Sequence, residues 1–341
     1  IYLAKTEMAF RYIMKNNFRV GIIGTGSWGL ALAKVFSQKN KVSLFFNTKK
    51  NFGELNKNRA SKFLPGIKFS KDIFLSLDLN DLDFCDVIFI VVPAQKFREN
   101  MQSLKKSKVT PKNLILCSKG IEIKTNCLMS EISEEFFPKV ETMVLSGPNF
   151  ANEVALGLPT AYVLSGRNKS RIKEIGSLIS NKTFRPYFNT DIIGTQLGGA
   201  VKNIIAIACG IVVGKELGEN ARSSILTRGL QELVYLGKKM GAKKDTFFGL
   251  SGIGDLNLSC SSVNSRNFNF GFKLGEGKNI SKLKKENYLV EGLHSCNAVI
   301  ELAEKFKIDM PITKAVKQVI SGEKISEVIN KLLSRPFQFE E

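Results

Sequence analysis

The sequence predicts an α/β protein, an N-terminal doubly wound sheet followed by an all-helical C-terminal domain, and three observations carry that class. A short β-type run, Arg19 to Gly29 (RVGIIGTGSWG), opens directly into a glycine turn and then a helical pattern, LALAKVFSQK. Apolar strand-like runs with little polar alternation recur as far as about Asn189, which is the signature of a sheet covered by helices on both faces. Beyond that point long helical patterns replace them. At 341 residues the chain can build two domains, each with its own core. The expected division is an N-terminal extension over 1–17, a dinucleotide-binding Rossmann-type domain over 18–190 and a helical substrate-binding domain over 191–341, with Met14 as an alternative start.

Gly24, Gly26 and Gly29 form a G-x-G-x-x-G turn between strand and helix. That order lets backbone N–H groups and a helix N-terminus receive a pyrophosphate. A second strand, Val42 to Phe46, arrives where the βαβ unit needs it. An NAD-specific site would place a carboxylate about 20 residues after the glycines to bind the ribose hydroxyls. Here the second strand ends in Asn47, Thr48, Lys49 and Lys50, which leans toward tolerance of, or preference for, the 2′-phosphate of NADP; solvated lysines would explain the same residues.

Further strand-like runs follow at Val87 to Val92, Asn113 to Cys117, Thr142 to Ser146, Ala161 to Ser165 and Phe184 to Phe188, with a helical stretch at Arg171 to Ser180. The loops at their C-terminal ends carry Val92-Pro93-Ala94, Ser118-Lys119-Gly120 and Ser146 to Phe150 (SGPNF), where such sheets bind ligands. The later helices are expected over Ile192 to Val213, Ser223 to Met240, Ser295 to Phe306 and Ile312 to Ser321. Within the first, Lys202 and Asn203 are the only strongly polar side chains between Leu197 and Val213. A helix apolar all round is buried, and a buried ammonium needs a partner, a shifted pKa or a polar cavity. Such a lysine can act as a general acid or base. Taken alone, the stretch is explained slightly better by a lysine whose head reaches the surface.

Composition excludes less. A hydrophobic fraction of 43% and a charged fraction of 24% suit an ordinary globular protein. The net charge of +19 fits anionic ligands of several kinds, or a composition rich in Lys, Ile, Asn and Phe throughout. The most basic segment, Lys273 to Lys285, lacks regular aromatic interleaving, so no nucleic-acid partner is expected. Six scattered cysteines and a single histidine, His294, form no metal or disulfide spacing, so no metal is expected and reduced thiols in the cytoplasm are. Lys202 and glycines interrupt the longest apolar run before it reaches the ~20 residues of a bilayer span, so no integral membrane segment is expected.

Taken together, GTGSWGLALA, SKGIE (Ser118 to Glu122), SGPNFANE (Ser146 to Glu153), QLGGAVKN (Gln196 to Asn203), NARSSILTRGLQE (Asn220 to Glu232), GLSGIGDLNLSC (Gly249 to Cys260), NSRN (Asn264 to Asn267) and VEG (Val290 to Gly292) resemble the bacterial-type NAD(P)-dependent glycerol-3-phosphate dehydrogenases. The resemblance runs from Arg19 to about Gly322. It implies reversible hydride transfer between dihydroxyacetone phosphate and sn-glycerol 3-phosphate, the latter feeding phospholipid synthesis, with NADP or NAD as cofactor; a homodimer is expected.

The resemblance also implies roles. Lys202 matches the catalytic lysine, proton donor in reduction and acceptor in oxidation. Lys119 matches a lysine touching cofactor and substrate, Asp255 a substrate-site carboxylate that could orient Lys202 or hydrogen-bond a substrate hydroxyl, either being compatible with capping a helix, and Ser265, Arg266 and Asn267 a phosphate clamp. Many relatives carry a basic residue after that asparagine, where this chain has Phe268. Gly147, Asn149 and Ala151 match positions near the nicotinamide, Gly147 also lying on the substrate side. Gly24, Gly26, Ser27, Trp28, Gly29, Asn47, Arg266 and Glu291 complete the expected cofactor contacts, Trp28 packing on the cofactor or the second domain. Asn203 is left open between bonding substrate and satisfying nearby backbone, and His294 is expected to be structural. Two other readings share parts of the sequence: a related 2-ketoacid reductase, and a non-catalytic nucleotide-sensing or nucleic-acid-binding protein.

Overall fold

Eight short runs, the central ones apolar and rich in Val, Ile and Leu, assemble into one sheet in the computed structural model, which describes residues 18–285, 290–337 and 339. The expected extension over 1–17 lies outside the described residues. The strands are β1 (Arg19–Ile23), β2 (Lys41–Phe45), β3 (Phe74–Ser76), β4 (Val87–Ile90), β5 (Asn113–Leu116), β6 (Glu141–Ser146), β7 (Thr160–Gly166) and β8 (Phe184–Asn189). Their order is β3-β2-β1-β4-β5-β6-β7-β8. Neighbours pair in parallel except β6 with β7, which run antiparallel with Ser146 opposite Val163. The antiparallel step follows a connection of residues 147–159 whose one helix has only six residues, near the lower limit for a crossover that would keep strands parallel.

Helices α1 (Ser27–Phe36), α2 (Lys49–Asn58), α3 (Phe97–Lys106), α4 (Met129–Phe136), α5 (Ala151–Leu156) and α6 (Lys169–Ile179) accompany the sheet. Every residue of β4 and β5 is buried, as expected for central strands flanked on both faces. Phe36 of α1 meets Phe89 of β4 at 4.8 Å between ring centroids, and Tyr162 of β7 stacks on Phe184 of β8 at 4.2 Å. Because β1, β4, β5 and β6 are mutually parallel, the glycine turn, the loop after Ile90, Cys117 to Lys119 and the Gly147 turn leave the same edge of the sheet. This is where ligands bind in open α/β sheets.

The chain divides into two compact units, one made of residues up to Lys119 with Leu128–Thr195 and the other of Gly120–Cys127 with the chain from Gln196 onward. Residues 120–127 thus group with the helical unit, although a linear division at 190 assigns them to the first. The helical unit is built from α7 (Ile192–Gly214), α8 (Glu219–Lys239), α9 (Asp255–Cys260), α10 (Arg266–Gly275), α11 (Ile280–Lys285), α12 (Glu291–Lys305), α13 (Pro311–Ile320) and α14 (Ile325–Leu333). With 23 residues and a mean hydropathy of 1.8 over its most apolar window, α7 is long and apolar enough to cross a membrane, which the interrupted run in the sequence did not suggest. Nearly all of that window is buried within the protein, the position of a core helix.

Glycines set how closely α7 and α10 approach. A Cβ on Gly210 would lie 2.1 Å from the Phe268 carbonyl oxygen, and one on Gly271 2.0 Å from that of Ile207. Gly214 and Gly275 repeat the contact one turn later, at 2.1 Å from the Phe272 oxygen and 2.6 Å from the Ile211 oxygen. Two G-x-x-x-G pairs therefore bring backbone against backbone, as small residues do at close helix crossings. Gly292, at the start of α12, meets α7 similarly, its added Cβ falling 2.7 Å from the Asn203 oxygen.

The helical unit also buries a carboxylate. Glu232 of α8 accepts from the backbone N–H groups of Ile312 (2.5 Å) and Thr313 (3.1 Å) and from the Thr313 hydroxyl (2.8 Å), satisfying donors at the N-terminus of α13 that have no partner within the helix. Burial outweighs these donors and pushes its pKa up to about 7. A carboxyl raised from its ordinary value near 4.5 contributes stability that is fully present below that value and is lost as pH rises through 7. The protein is therefore expected to lose about 3 kcal/mol of this contribution between about pH 4 and 8, and Glu232→Gln to flatten that slope. Denaturant titrations across the pH range check it; an unchanged slope in the variant refutes it.

Candidate active site

In the first unit the glycine turn is shaped by what its glycines touch. A Cβ on Gly24, whose φ is +119°, would sit 2.2 Å from the Val91 carbonyl oxygen, and one on Gly29 would sit 1.9 Å from the Gly24 oxygen. Gly26 faces open space. The turn is thus closed against the sheet on one side and open on the other, and the open side lies at the N-terminus of α1. No side chain caps that terminus, and the first helical bond runs from the Leu30 N–H to Gly26. The N–H groups of Ser27, Trp28 and Gly29 precede it, a cradle that fits a pyrophosphate.

The Ser27 hydroxyl donates to the Phe63 carbonyl at 2.8 Å. Trp28 packs on the first unit's own core, a partner the two sequence alternatives for it did not include. Asn47 is exposed just past β2, and Thr48 caps α2, leaving Lys49 and Lys50 exposed on its first turn. After β5, Lys119 reaches across to the loop after β6, its Nζ donating to the Gly147 carbonyl at 3.1 Å. Gly147 has φ +134°. The Asn149 amide donates to the Pro148 and Ala161 carbonyls, both at 2.9 Å, and Ala151 begins α5 against the core.

In the helical unit Lys202 is buried and doubly held. Its Nζ lies 2.5 Å from Asp255 Oδ1 and 2.8 Å from Ser259 Oγ. A buried ammonium with a paired carboxylate avoids the penalty of an isolated charge, so the alternative of a lysine head at the surface is overturned. Asp255 and Ser259 stand four apart on α9, on one face. Gly254 occupies the cap position and a π-helical turn over Leu250–Gly254 leads into α9, so Asp255 is the first helical residue, not the cap. That turn is pressed against α7, where an added Cβ on Gly198 would lie 2.1 Å from the Ser251 oxygen. Ser259 was not singled out in the sequence; its spacing from Asp255 was the available signal.

One helical position after Lys202, Asn203 joins three elements. Its Oδ1 accepts from Asn267 Nδ2 at 2.9 Å, and its Nδ2 faces the Gly199 carbonyl at 3.3 Å and Glu291 Oε2 at 3.5 Å. Asn267 Oδ1 accepts in turn from the Gly292 N–H at 3.0 Å. Asn203 thus satisfies both backbone and side chains, and Asn267 is a buried tie between helices. Ser265 caps α10, accepting from the Phe268 N–H at 3.4 Å. Between them Arg266 is exposed, and its guanidinium makes no hydrogen bond or ion pair among the described residues. Phe268 is buried in the α7–α10 seam, which accounts for an apolar residue where many relatives are basic. His294 is exposed on α12.

Within the second unit, then, a held ammonium, a carboxylate and an open guanidinium are fixed to one framework of α7, α9, α10 and the start of α12. In the first, a glycine cradle and a lysine share one sheet edge.

Two family models match the chain: the NAD-dependent glycerol-3-phosphate dehydrogenase N-terminus over residues 19–172 and its C-terminus over 191–330. The chain is 42% identical over 327 residues to glycerol-3-phosphate dehydrogenase [NAD(P)+] of Parvibaculum lavamentivorans, covering 94% of this chain and 98% of that protein. It is 41% identical to the protein of the same name from Zymomonas mobilis, with 94% of each chain covered. Among solved structures it resembles glycerol-3-phosphate dehydrogenase of Coxiella burnetii at 35% identity with a TM-score of 0.89, over 94% of this chain and 99% of that one. Matched over both its cradle-bearing and its lysine-bearing regions, the chain belongs to the NAD-dependent glycerol-3-phosphate dehydrogenase family.

Proposed function

We propose that the protein catalyses reversible, NAD(P)H-dependent reduction of dihydroxyacetone phosphate to sn-glycerol 3-phosphate, a product for phospholipid synthesis. The observation that carries this reading is the buried Lys202 amine held by Asp255 and Ser259. When bound, the nicotinamide cofactor supplies the hydride. Reduction places negative charge on the ketone oxygen, and a preorganised cation nearby stabilises that charge as it develops. Lys202 donates the proton to that oxygen in reduction and takes it back in oxidation. Asp255 and Ser259 fix the direction of the amine.

The substrate phosphate is assigned to Arg266, an exposed guanidinium with both N–H edges available, with Ser265 and Asn267 holding the start of α10 in place. The cofactor pyrophosphate is assigned to the cradle at Gly24, Gly26 and Gly29 with Ser27 and Trp28. Asn47, Lys119, Gly147, Asn149, Ala151 and Glu291 complete the proposed contacts, Lys119 and Gly147 serving the substrate as well. Lys49 and Lys50, with no carboxylate at Asn47, support use of NADPH at least as readily as NADH. Unbonded thiols at all six cysteines accord with a reducing, cytoplasmic setting.

The expected result is turnover of dihydroxyacetone phosphate with NADPH and NADH, with kcat/KM for NADPH no lower than for NADH. Arg266→Ala should raise the KM for dihydroxyacetone phosphate about 100-fold, the worth of charge-assisted bonds to one anionic group, with a smaller change in kcat. No turnover with either cofactor, or an unchanged KM, would sink the assignment.

A homodimer is also proposed. It is supported by a groove of about 920 Å³ on the helical unit between α8, α13 and α14, edged by exposed Leu217, Tyr235, Leu333 and Phe337. Sedimentation of Tyr235→Glu as a monomer beside a dimeric parent checks it; a monomeric parent rejects it.

A further inference from the structure

Lys119 is the last residue of the first unit before the chain crosses over, and the segment after it, Gly120–Cys127, packs with the helical unit. That segment closes on itself. The Glu122 N–H donates to the Cys127 carbonyl at 3.0 Å and the Asn126 N–H to the Glu122 carbonyl at 2.8 Å, while the Thr125 hydroxyl donates to the Glu122 carboxylate. Ile121 and Glu122 are buried. Asn126 has φ +59°, a left-handed conformation that asparagine tolerates better than most side chains. From there its Nδ2 donates to Glu301 Oε2 of α12 at 2.8 Å, across 175 positions of sequence.

The same helix is tied at its start to the framework around Lys202. The Gly292 N–H donates to Asn267 Oδ1 at 3.0 Å, and Glu291 meets the Asn203 amide at 3.5 Å. Glu301 stands ten residues beyond Glu291 on α12, about 15 Å along the axis at helical rise. Both lysines given roles in the chemistry are thus referred to one helix. Lys202 reaches it through its neighbour Asn203, and Lys119 through the chain that follows it.

We propose that Asn126 and Glu301 are positioning residues for Lys119: their bond fixes the loop of residues 120–127 on α12, and the fixed loop holds the Lys119 backbone so that its amine is presented to cofactor and substrate. Neither side chain touches the reactants. A lysine amine sits at the end of a flexible four-carbon stem, so its placement depends on the backbone below it and on whatever the amine bonds. Here that bond is the 3.1 Å contact from Nζ to the Gly147 carbonyl, and a backbone shift of about 0.5 Å carries it out of hydrogen-bonding range. Misplacement of a reacting group on that scale is enough to slow an enzyme. The benefit to catalysis rests on the contacts proposed for Lys119 above; the holding of Lys119 does not.

The test labels the full-length protein with a limiting dose of acetic anhydride, reads the acetylation rate of each lysine by peptide mass mapping, and sets steady-state kinetics beside it. Glu301→Ala and Asn126→Gly each remove the bond, and glycine keeps the positive φ without strain. In both, Lys119 is expected to be acetylated about fivefold faster and the KM for dihydroxyacetone phosphate and for NADPH to rise about tenfold with little change in kcat, the worth of one hydrogen bond to a charged group. Glu301→Gln keeps an acceptor at the same place and should stay within about twofold of the parent in both readouts. Lys202 should label at the parental rate throughout. Unchanged labelling of Lys119 in Glu301→Ala overturns the proposal, as do unchanged KM values, equal impairment of Glu301→Gln, or a matching rise at Lys202, the mark of general loosening. Faster labelling of Lys119 in the variants of a parent that never turns over dihydroxyacetone phosphate would leave the positioning loop standing and reject the catalytic reading instead.

Discussion

Lys202→Met is expected to lower kcat for dihydroxyacetone phosphate reduction by about 1,000-fold, within the range for loss of a positioned general acid, while the KM for the cofactor stays close to its original value. The variant carries a second consequence. Removing the ammonium leaves Asp255 as a buried carboxylate without its counter-ion, a loss that costs about 3–5 kcal/mol. A fall in activity could then reflect folding. The double variant Lys202→Met/Asp255→Leu separates the two, because an apolar pair in place of a buried ion pair restores much of the stability without restoring a proton donor. Denaturant melts and steady-state kinetics on parent, single and double variants decide the point. Single-variant activity within tenfold of the parent, or recovery of turnover in the double variant, contradicts the role given to the amine.

The second large effect is on architecture. Gly271→Ala places a methyl group 2.0 Å from the Ile207 carbonyl oxygen and 3.0 Å from its Cα. The obstacle is backbone, so no side chain can swing aside and the helices must part. Overpacking of this kind costs about 3 kcal/mol or more, and separation of α7 from α10 loosens the 2.9 Å bond from Asn267 to Asn203. The variant is expected to melt markedly lower and to show a raised KM for dihydroxyacetone phosphate, because Arg266 begins the displaced helix. Gly53→Ala is the comparison. Gly53 lies exposed in α2 with nothing near its missing Cβ, so alanine there is expected to be neutral or to stabilise by up to about 1 kcal/mol. Equal melting temperatures for the two variants would refute the backbone seam.

Much of this molecule was legible in the chain. The glycine turn declared itself because strand, turn and helix are local, each set by residues within a few positions of one another. The change from strand-like to helical patterning near Asn189 marked the two kinds of architecture for the same reason. The family motifs singled out Lys119, Lys202, Asp255 and Arg266 as the positions proposed for the chemistry, though not what each would touch.

Partners far apart in sequence were decided only by the tertiary structure. Whether Lys202 was an awkward core lysine or a held amine depended on Asp255 and Ser259, more than fifty positions away, and no local period encodes that meeting. The same holds for Gly210 and Gly271: each reads as a weak spot in a helix until the helices cross, where the lack of a side chain is what lets two backbones touch. Local preference thus determined which elements form. Packing between helices, a property of pairs, determined that Asp255 and Ser259 would hold the amine of Lys202 in the helical core.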